Sequence, residues 1–266
     1  MRDRCLIQPG TKPDLEHRST DDRLGVDKTR AQADLEELTR RLSVLHQRLY
    51  AENARAVLLV LQGLDASGKD GTIKRVFTGL NPQGCNVESF KAPTHVEAAH
   101  DFLWRIHRVL PERGDIGIFD RSHYEDVVTA QVIGAIDDRK RKRRYEHINA
   151  FEEMLSAEGT TIVKIFLHIG KDEQRERLQA RLDDPLKRWK FERADLDTRE
   201  KWDEYTRLYD AAIAATSTKW APWYVVPADH KWVSGVAAAT ILLAALEEMD
   251  PKVPPPKESL DGIVVT

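Results

Sequence analysis

The 266-residue sequence predicts an α/β fold, specifically a P-loop kinase-like three-layer α/β/α sandwich with a mostly parallel sheet and a helical lid. Three observations predict it. Short apolar runs alternate with stretches of helical spacing, the order of a doubly wound sheet. The first strong run, residues 56–62, is continuously apolar, as a strand buried on both faces requires. That run ends on a glycine-rich turn leading into a helical pattern, the setting of a phosphate-binding loop.

Each element follows in order. Residues 1–26 are polar, carry Pro9, Gly10 and Pro13, and read as an extended N-terminal arm. Leu35, Leu38, Leu42, Leu45 and Leu49 recur at helical spacing, which predicts a long amphipathic helix over 27–53, capped near Asp27. After the strand at 56–62 come a helix over about 70–79, a weak strand at 86–90, a helix over 94–110 and a short strong strand at 116–119. Helices over 123–134 and 140–158 precede the strand TIVKIFLHI at 161–169. A helix over 171–183 opens a lid of about 171–193. A helix over 202–217, a strand at 223–227 and a helix over 231–249 complete a single domain, 27–250. Residues 251–266 form a proline-rich tail without helix-forming capacity.

Composition excludes several classes. Lysine and arginine number 41 against 44 acids, a net charge of −3, which argues against a globally basic nucleic-acid binder. A local cationic channel remains compatible with that balance, because charges segregate over a surface. No apolar run reaches the roughly 18 residues of a membrane span. The N-terminus lacks the apolar core of a secretory signal. No membrane partner and a cytoplasmic location are therefore expected. Cys5 and Cys85 form no CxxC pair, and the nine histidines form neither HExxH nor a Cys/His cluster, which points away from a zinc enzyme.

The strongest motif is Gly63-Leu-Asp-Ala-Ser-Gly-Lys-Asp-Gly-Thr72, which matches the phosphate-loop pattern up to its lysine. Glycines let backbone N–H groups converge on an anion, and the following helix N-terminus adds partial positive charge. Lys69 is the candidate cation for terminal phosphates. The Ser or Thr that usually follows the lysine and holds Mg²⁺ is replaced by Asp70. Asp65 is the candidate carboxylate that compensates, while Asp70 has a helix-capping alternative. Thr72 either donates its hydroxyl to phosphate or packs.

The strand at 116–119 runs into Asp120-Arg121-Ser122. Ligands bind at the carboxyl ends of parallel strands, so Asp120 is the second candidate metal holder, with helix capping as its alternative. Arg121 suits a bidentate phosphate clamp. Glu125 lies four residues on and either orients Arg121, contacts an acceptor or forms a surface ion pair. Every residue from Arg139 to Arg144 is basic, and Arg177 and Arg181 share one helical face in a basic stretch that includes Lys187 and Lys190. Lys91 and Arg105 are further candidates for the same channel. Trp104, Trp189, Trp202 and Trp223 read as packing residues rather than base platforms.

The segments GLDASGKDG at 63–71, SFKAPT at 89–94, DFLWRIH at 101–107, GIFDRSHYEDV at 117–127, ERLQARLDDPLKRWKF at 176–191 and APWYVVPADHKW at 221–232 together resemble polyphosphate kinase family 2. The likeness is closest to its short single-domain members, the class III subgroup. The resemblance implies phosphoryl transfer between inorganic polyphosphate and AMP, ADP or ATP, with Mg²⁺ or Mn²⁺ as cofactor. It also implies a homo-oligomer, a dimer or tetramer. Asp65 and Asp120 would hold metal. Asp65, Lys69, Asp120, Arg121 and Arg181 would be catalytic. Gly63, Ala66, Ser67, Gly68, Asp70, Gly71 and Thr72 in the loop, with Lys91, Ser122, Glu125, Arg177, Lys187 and Lys190 beyond it, would bind phosphates or nucleotide. An ATP-dependent nucleoside monophosphate kinase shares the loop, the strand-end acid and the lid, and a nucleotide-binding regulatory module is the non-enzymatic alternative.

Overall fold

In the computed structural model, which describes residues 1–261 and 263–265, α1 (Arg2–Cys5) turns directly into β1 (Leu6–Ile7). The long α2 (Ala31–Glu52) leads to β2 (Ala56–Gln62), and α3 (Lys69–Phe77) follows. A 3₁₀ turn, Pro82–Gly84, introduces β3 (Cys85–Ser89), then α4 (His95–Ala98), α5 (Trp104–His107) and β4 (Ile116–Asp120). Next come α6 (Thr129–Val132), α7 (Asp138–Ala157) and β5 (Thr160–His168). The chain continues through α8 (Lys171–Asp183), a 3₁₀ turn at Arg188–Lys190, α9 (Ala194–Glu200) and α10 (Trp202–Thr216) to β6 (Trp223–Pro227) and α11 (Lys231–Met249).

The sheet order is β1-β6-β5-β2-β4-β3, parallel except for β1. β2 lies between β5 and β4 and is buried at all seven residues, which is why its sequence is apolar on both faces. β3 is an edge strand, exposed from Asn86 to Ser89, so it needs little apolar sequence. The register sets Asp120 of β4 opposite Leu61 of β2 and Ser89 of β3. The carboxyl ends of three neighbouring strands therefore meet beside the turn after β2. α2, α3 and α11 pack together over the sheet, and α7 and α10 form the other helical layer.

Four local expectations are corrected. The 27–53 helix begins at Ala31: Asp27 accepts hydrogen bonds from the Thr29 N–H and hydroxyl, both at 2.7 Å, and so closes a turn ahead of the helix. The 94–110 helix is two one-turn pieces, the first closed by a Thr94/Glu97 capping box. Over 123–134 only α6 is helical, because the chain there is held by long-range bonds described below. Residues 1–26 add β1 to the sheet edge and bury Cys5, Ile7, Leu15 and Leu24.

α11 is also long and apolar enough by length and composition to cross a membrane, contrary to the expectation that no apolar stretch reaches that length. Its apolar surface lies inside the protein, against β5, β6, α2 and α3, with 67 % of the stretch buried.

A polar knot ties the second layer to the sheet. Lys164 of β5 is fully buried and donates to Glu152 Oε2 of α7 at 2.5 Å, to the Tyr124 hydroxyl at 3.0 Å and to the Thr216 carbonyl at 2.8 Å. Tyr124 donates to Glu152 Oε1 at 2.9 Å, and His123 Nε2 lies 3.3 Å from the same oxygen. Burial pushes the Glu152 carboxyl up, but Lys164 and His123 outweigh it and hold it below its ordinary value. This knot anchors the segment that follows β4, and with it the backbone of Arg121 and Glu125. Removing one member of a buried ion pair leaves the other charge uncompensated. Lys164→Met is therefore expected to lower the unfolding free energy by about 3–5 kcal/mol in urea titration, and Lys164→Met/Glu152→Met to cost less than the single change.

Candidate active site

The turn after β2 adopts backbone conformations that only particular residues tolerate. Gly63 has φ +151°, and a Cβ there would lie 2.7 Å from the Leu167 carbonyl oxygen; Gly68, with φ +103°, caps α3. Ala66 is held at φ +61° and Arg121 at φ +62°, left-handed positions that cost a non-glycine residue about 1 kcal/mol or more. Strain at two points of one cleft means that the surroundings over-determine both.

Lys69 is nearly buried, and its Nζ folds back onto its own loop, 2.7 Å from the Gly63 carbonyl oxygen. Burial lowers its pKa, with Arg121 adding to the effect and Asp120, Asp65 and Glu125 opposing it. Asp120 ends β4. Its Oδ1 is buried with no hydrogen-bond partner among the described residues, and burial raises its pKa. The carboxylate beside it is Asp70, which receives Lys190 Nζ from the lid at 3.0 Å. Asp65 instead accepts from Arg121 Nη2 at 2.9 Å. Burial alone would lower the pKa of Arg121, but Glu125, Asp65 and Asp120 outweigh it and keep the guanidinium charged.

A divalent cation fits this donor set. Mg²⁺ and Mn²⁺ take hard oxygen ligands and retain waters, and an orphaned carboxylate oxygen beside a second carboxylate supplies them. Asp120 and Asp70 are the side chains already adjacent, while Asp65 would have to leave Arg121 to join them.

The cleft around these groups encloses about 1390 Å³. Gly63, Asp65, Ala66, Gly68, Lys69, Asp70, Gly71, Lys91, Asp120, Arg121, Glu125, Arg177, Arg181, Lys187 and Lys190 all line it, so the structure brings together most of the residues read from the sequence. Three hydroxyls expected at phosphates do not line it. Ser122 is fully buried, and its Oγ accepts from the Tyr124 N–H at 3.2 Å. Ser67 and Thr72 are buried beneath the loop, with hydroxyls that have no partner among the described residues. Glu125 is tied down rather than free: its Oε2 accepts from the Thr129 hydroxyl at 2.6 Å. With the Gln62 amide oriented to satisfy both of its ends, Oε1 accepts from Gln62 at 2.9 Å. Arg181 keeps only a loose 3.7 Å pairing with Asp195. Trp189, expected to pack, is 76 % exposed on the lid.

Sequence reasoning missed several lining residues. On the side of α3 and α11, Arg75 and Lys231 join Arg177 and Lys187. Arg75 makes no hydrogen bond among the described residues; burial and Arg177 lower its pKa. On the opposite side, Phe90, Phe102, Ile133 and Ile136 give apolar walls, with Lys140 and Arg144 beside them. Helical phase was the available signal for the basic run. Lys140 and Arg144 are four apart and share the cleft face, whereas Arg139, Lys142 and Arg143 face solvent and Arg141 is buried beside Asp138. Arg105 is a brace under the wall, donating to the Lys91 carbonyl at 2.8 Å and to Asp126 at 3.0 Å.

A sequence model of the family described as Polyphosphate kinase 2 matches residues 25–254. The chain is 48 % identical over 261 residues to the AMP/ADP-polyphosphate phosphotransferase of Meiothermus ruber, covering 97 % of this chain and 98 % of that protein. It is 47 % identical over 221 residues to the ADP-polyphosphate phosphotransferase of Rhodopseudomonas palustris, covering 79 % of this chain and 76 % of that one. The crystal structure of polyphosphate kinase 2 from Arthrobacter aurescens TC1 superposes with a TM-score of 0.92 at 42 % identity, covering 96 % of this chain and 92 % of that one.

A charged hydrogen bond to phosphate is worth about 1.5–3 kcal/mol, roughly ten- to a hundredfold in affinity. Lys69→Met is therefore expected to weaken tripolyphosphate binding by at least about tenfold in calorimetric titration, with an unchanged unfolding temperature.

Proposed function

The chain belongs to the polyphosphate kinase 2 family, and from that premise we propose that it moves the terminal phosphoryl group of inorganic polyphosphate to AMP and ADP, giving ADP and ATP reversibly. The observation that carries the reading is the division of the cleft. One side is predominantly cationic, with Arg75, Arg177, Arg181, Lys187, Lys190 and Lys231 set against Glu173, Glu176 and Asp184, as a polyanionic donor requires. The other side combines apolar walls with Lys91, Lys140 and Arg144, as a nucleotide with a flat base and a charged tail requires. The two sides meet at Lys69, Asp120 and Arg121.

The chemistry asked of the side chains is positioning and charge neutralisation. In the forward direction an acceptor phosphate oxygen bonds to the terminal phosphorus of the chain. The bridging P–O bond breaks, and polyphosphate leaves one unit shorter. The attacking oxygen is already anionic near pH 7, so no strong general base is needed. The loop amides and Lys69 hold the transferring group, with Lys69 exchanging the Gly63 carbonyl for a phosphate oxygen. Arg121, held by Asp65, faces the same point and stays charged for the reason given above. Arg181, Lys187 and Lys190 come from the lid; their weak or exposed partners leave them free to shift toward phosphate. A bound Mg²⁺ or Mn²⁺, held through Asp120 with Asp70 or Asp65, would neutralise charge on the phosphate oxygens. The homo-oligomer implied by the resemblance and the cytoplasmic location expected from the sequence belong to the same proposal.

The test is a donor swap. Purified protein with AMP, Mg²⁺ and polyphosphate, without ATP, is expected to form ADP and then ATP. Transfer from ATP to AMP with none from polyphosphate would make it an ATP-dependent nucleoside monophosphate kinase instead. Lys69→Ala and Asp120→Ala are each expected to lower turnover by at least about a hundredfold with the fold intact, and near-normal rates in either would move the reacting centre elsewhere.

A further inference from the structure

Arg177 was expected to neutralise phosphate charge, yet all of its donors are engaged by protein. A guanidinium has five N–H groups. Nε donates to Glu173 at 2.7 Å. Nη1 donates to the carbonyl oxygens of Ala66 at 3.0 Å and Ser67 at 3.1 Å. Nη2 donates to those of Ala228 at 2.7 Å and Asp229 at 2.8 Å. The side chain is 8 % exposed. One turn earlier on the same helix, Gln174 is fully buried and its Nε2 donates to the Asp65 carbonyl at 3.0 Å. Three consecutive carbonyls of the phosphate loop, 65 to 67, are thus held from α8.

We infer that Arg177, with Gln174 beside it, is a positioning residue that aims the loop amides at phosphate, and not a phosphate ligand. A trans peptide points its C=O and the next N–H in opposite directions. Holding the Ser67 carbonyl on Nη1 turns the Gly68 N–H away from α8. Gly68 lines the cleft, its N–H meets no acceptor among the described residues, and the position a Cβ would take lies 3.6 Å from Arg177 Nη1. Arg177 therefore stands behind the residue whose front faces the ligand. The same guanidinium holds Ala66 at its left-handed φ by fixing the carbonyl of that residue. Through Ala228 and Asp229 it locks the turn between β6 and α11 to the phosphate loop, so that the root of the lid, the loop and that turn move as one body.

This inference rests on the phosphotransferase reading for its kinetic consequence, but hydrogen exchange tests it without any activity. Arg177→Lys keeps the charge and loses the fork that reaches four carbonyls. Exchange of the amides in peptides covering 63–71 and 226–230, followed by mass spectrometry, is expected to quicken at least about tenfold in Arg177→Lys, and unchanged exchange would overturn the inference. In the polyphosphate assay both Arg177→Lys and Arg177→Ala are expected to lose at least about tenfold in kcat, within about threefold of each other. KM for polyphosphate should shift by less than about threefold. A Lys variant that retains wild-type turnover, or an Ala variant whose defect is confined to KM for polyphosphate, would make Arg177 a donor ligand after all. Should both variants fail to fold, Glu173→Gln decides, because that side chain is 30 % exposed and only steadies Nε. A two- to fivefold fall in kcat with unchanged KM supports positioning, and unchanged kcat refutes it. Failure of the functional reading is seen separately, as wild-type protein inactive with polyphosphate while the exchange difference persists.

Discussion

The turn from β2 into α3 is the constraint that the rest of the structure serves. A phosphate group is held by amides only if several successive peptides present their N–H groups to one point, and that requires backbone conformations a free chain avoids. Gly63 and Gly68 make the turn sterically possible, but glycine supplies permission and no preference. Preference comes from outside the turn. β2 at the centre of the sheet fixes where it starts, and Gln174 and Arg177 of α8 fix the carbonyl directions of residues 65, 66 and 67. The loop proposed to bind phosphate is thereby held in one shape by neutral and cationic donors at its back.

Charge is organised by the same logic. Where the protein buries charge for architecture, it pairs it: Lys164 with Glu152, Arg105 with Asp126. Facing the cleft, it also sets like charges side by side, although Asp65 holds Arg121 and Asp70 holds Lys190. Asp70 and Asp120 stand side by side, and Arg75, Lys187 and Lys231 gather near one another, with Glu173 beside Lys231 and Asp184 beside Lys187. Each group is unfavourable alone and would become favourable with the counterion proposed for it, a divalent metal for the acids and an oxyanion chain for the cations. The overall charge of −3 conceals this separation, because the acids that balance the sum lie largely elsewhere.

The two architectural knots support the two strained residues. The Lys164–Glu152–Tyr124 cluster pins the chain just after Arg121, and the Arg177 fork pins Ala66. Both strained backbones line the cleft in which donor and acceptor are proposed to meet. Rigid positioning there reduces the rearrangement needed as the phosphoryl group moves.

What the sequence by itself determined is whatever depends on neighbours along the chain. The apolar run at 56–62, the glycine–lysine spacing after it, the acid ending the 116–119 strand and the helix carrying Arg177 and Arg181 are all local patterns, and they placed the fold class and pointed to residues that line one cleft. Tertiary structure decided what each side chain touches. Arg177 and Arg181 look alike in sequence and share a helical face, yet one lies against carbonyls 110 residues away and the other opens on the cleft with a 3.7 Å partner. Ser122 and Thr72 look like phosphate hydroxyls and are sealed beneath the surface, while Arg75 and Lys231, unremarked in their own segments, meet where α3 packs on α11. The physical reason is that periodicity specifies the direction a side chain leaves its helix or strand, whereas its hydrogen-bond partner is supplied by whichever distant segment the packing of the sheet and helices brings opposite.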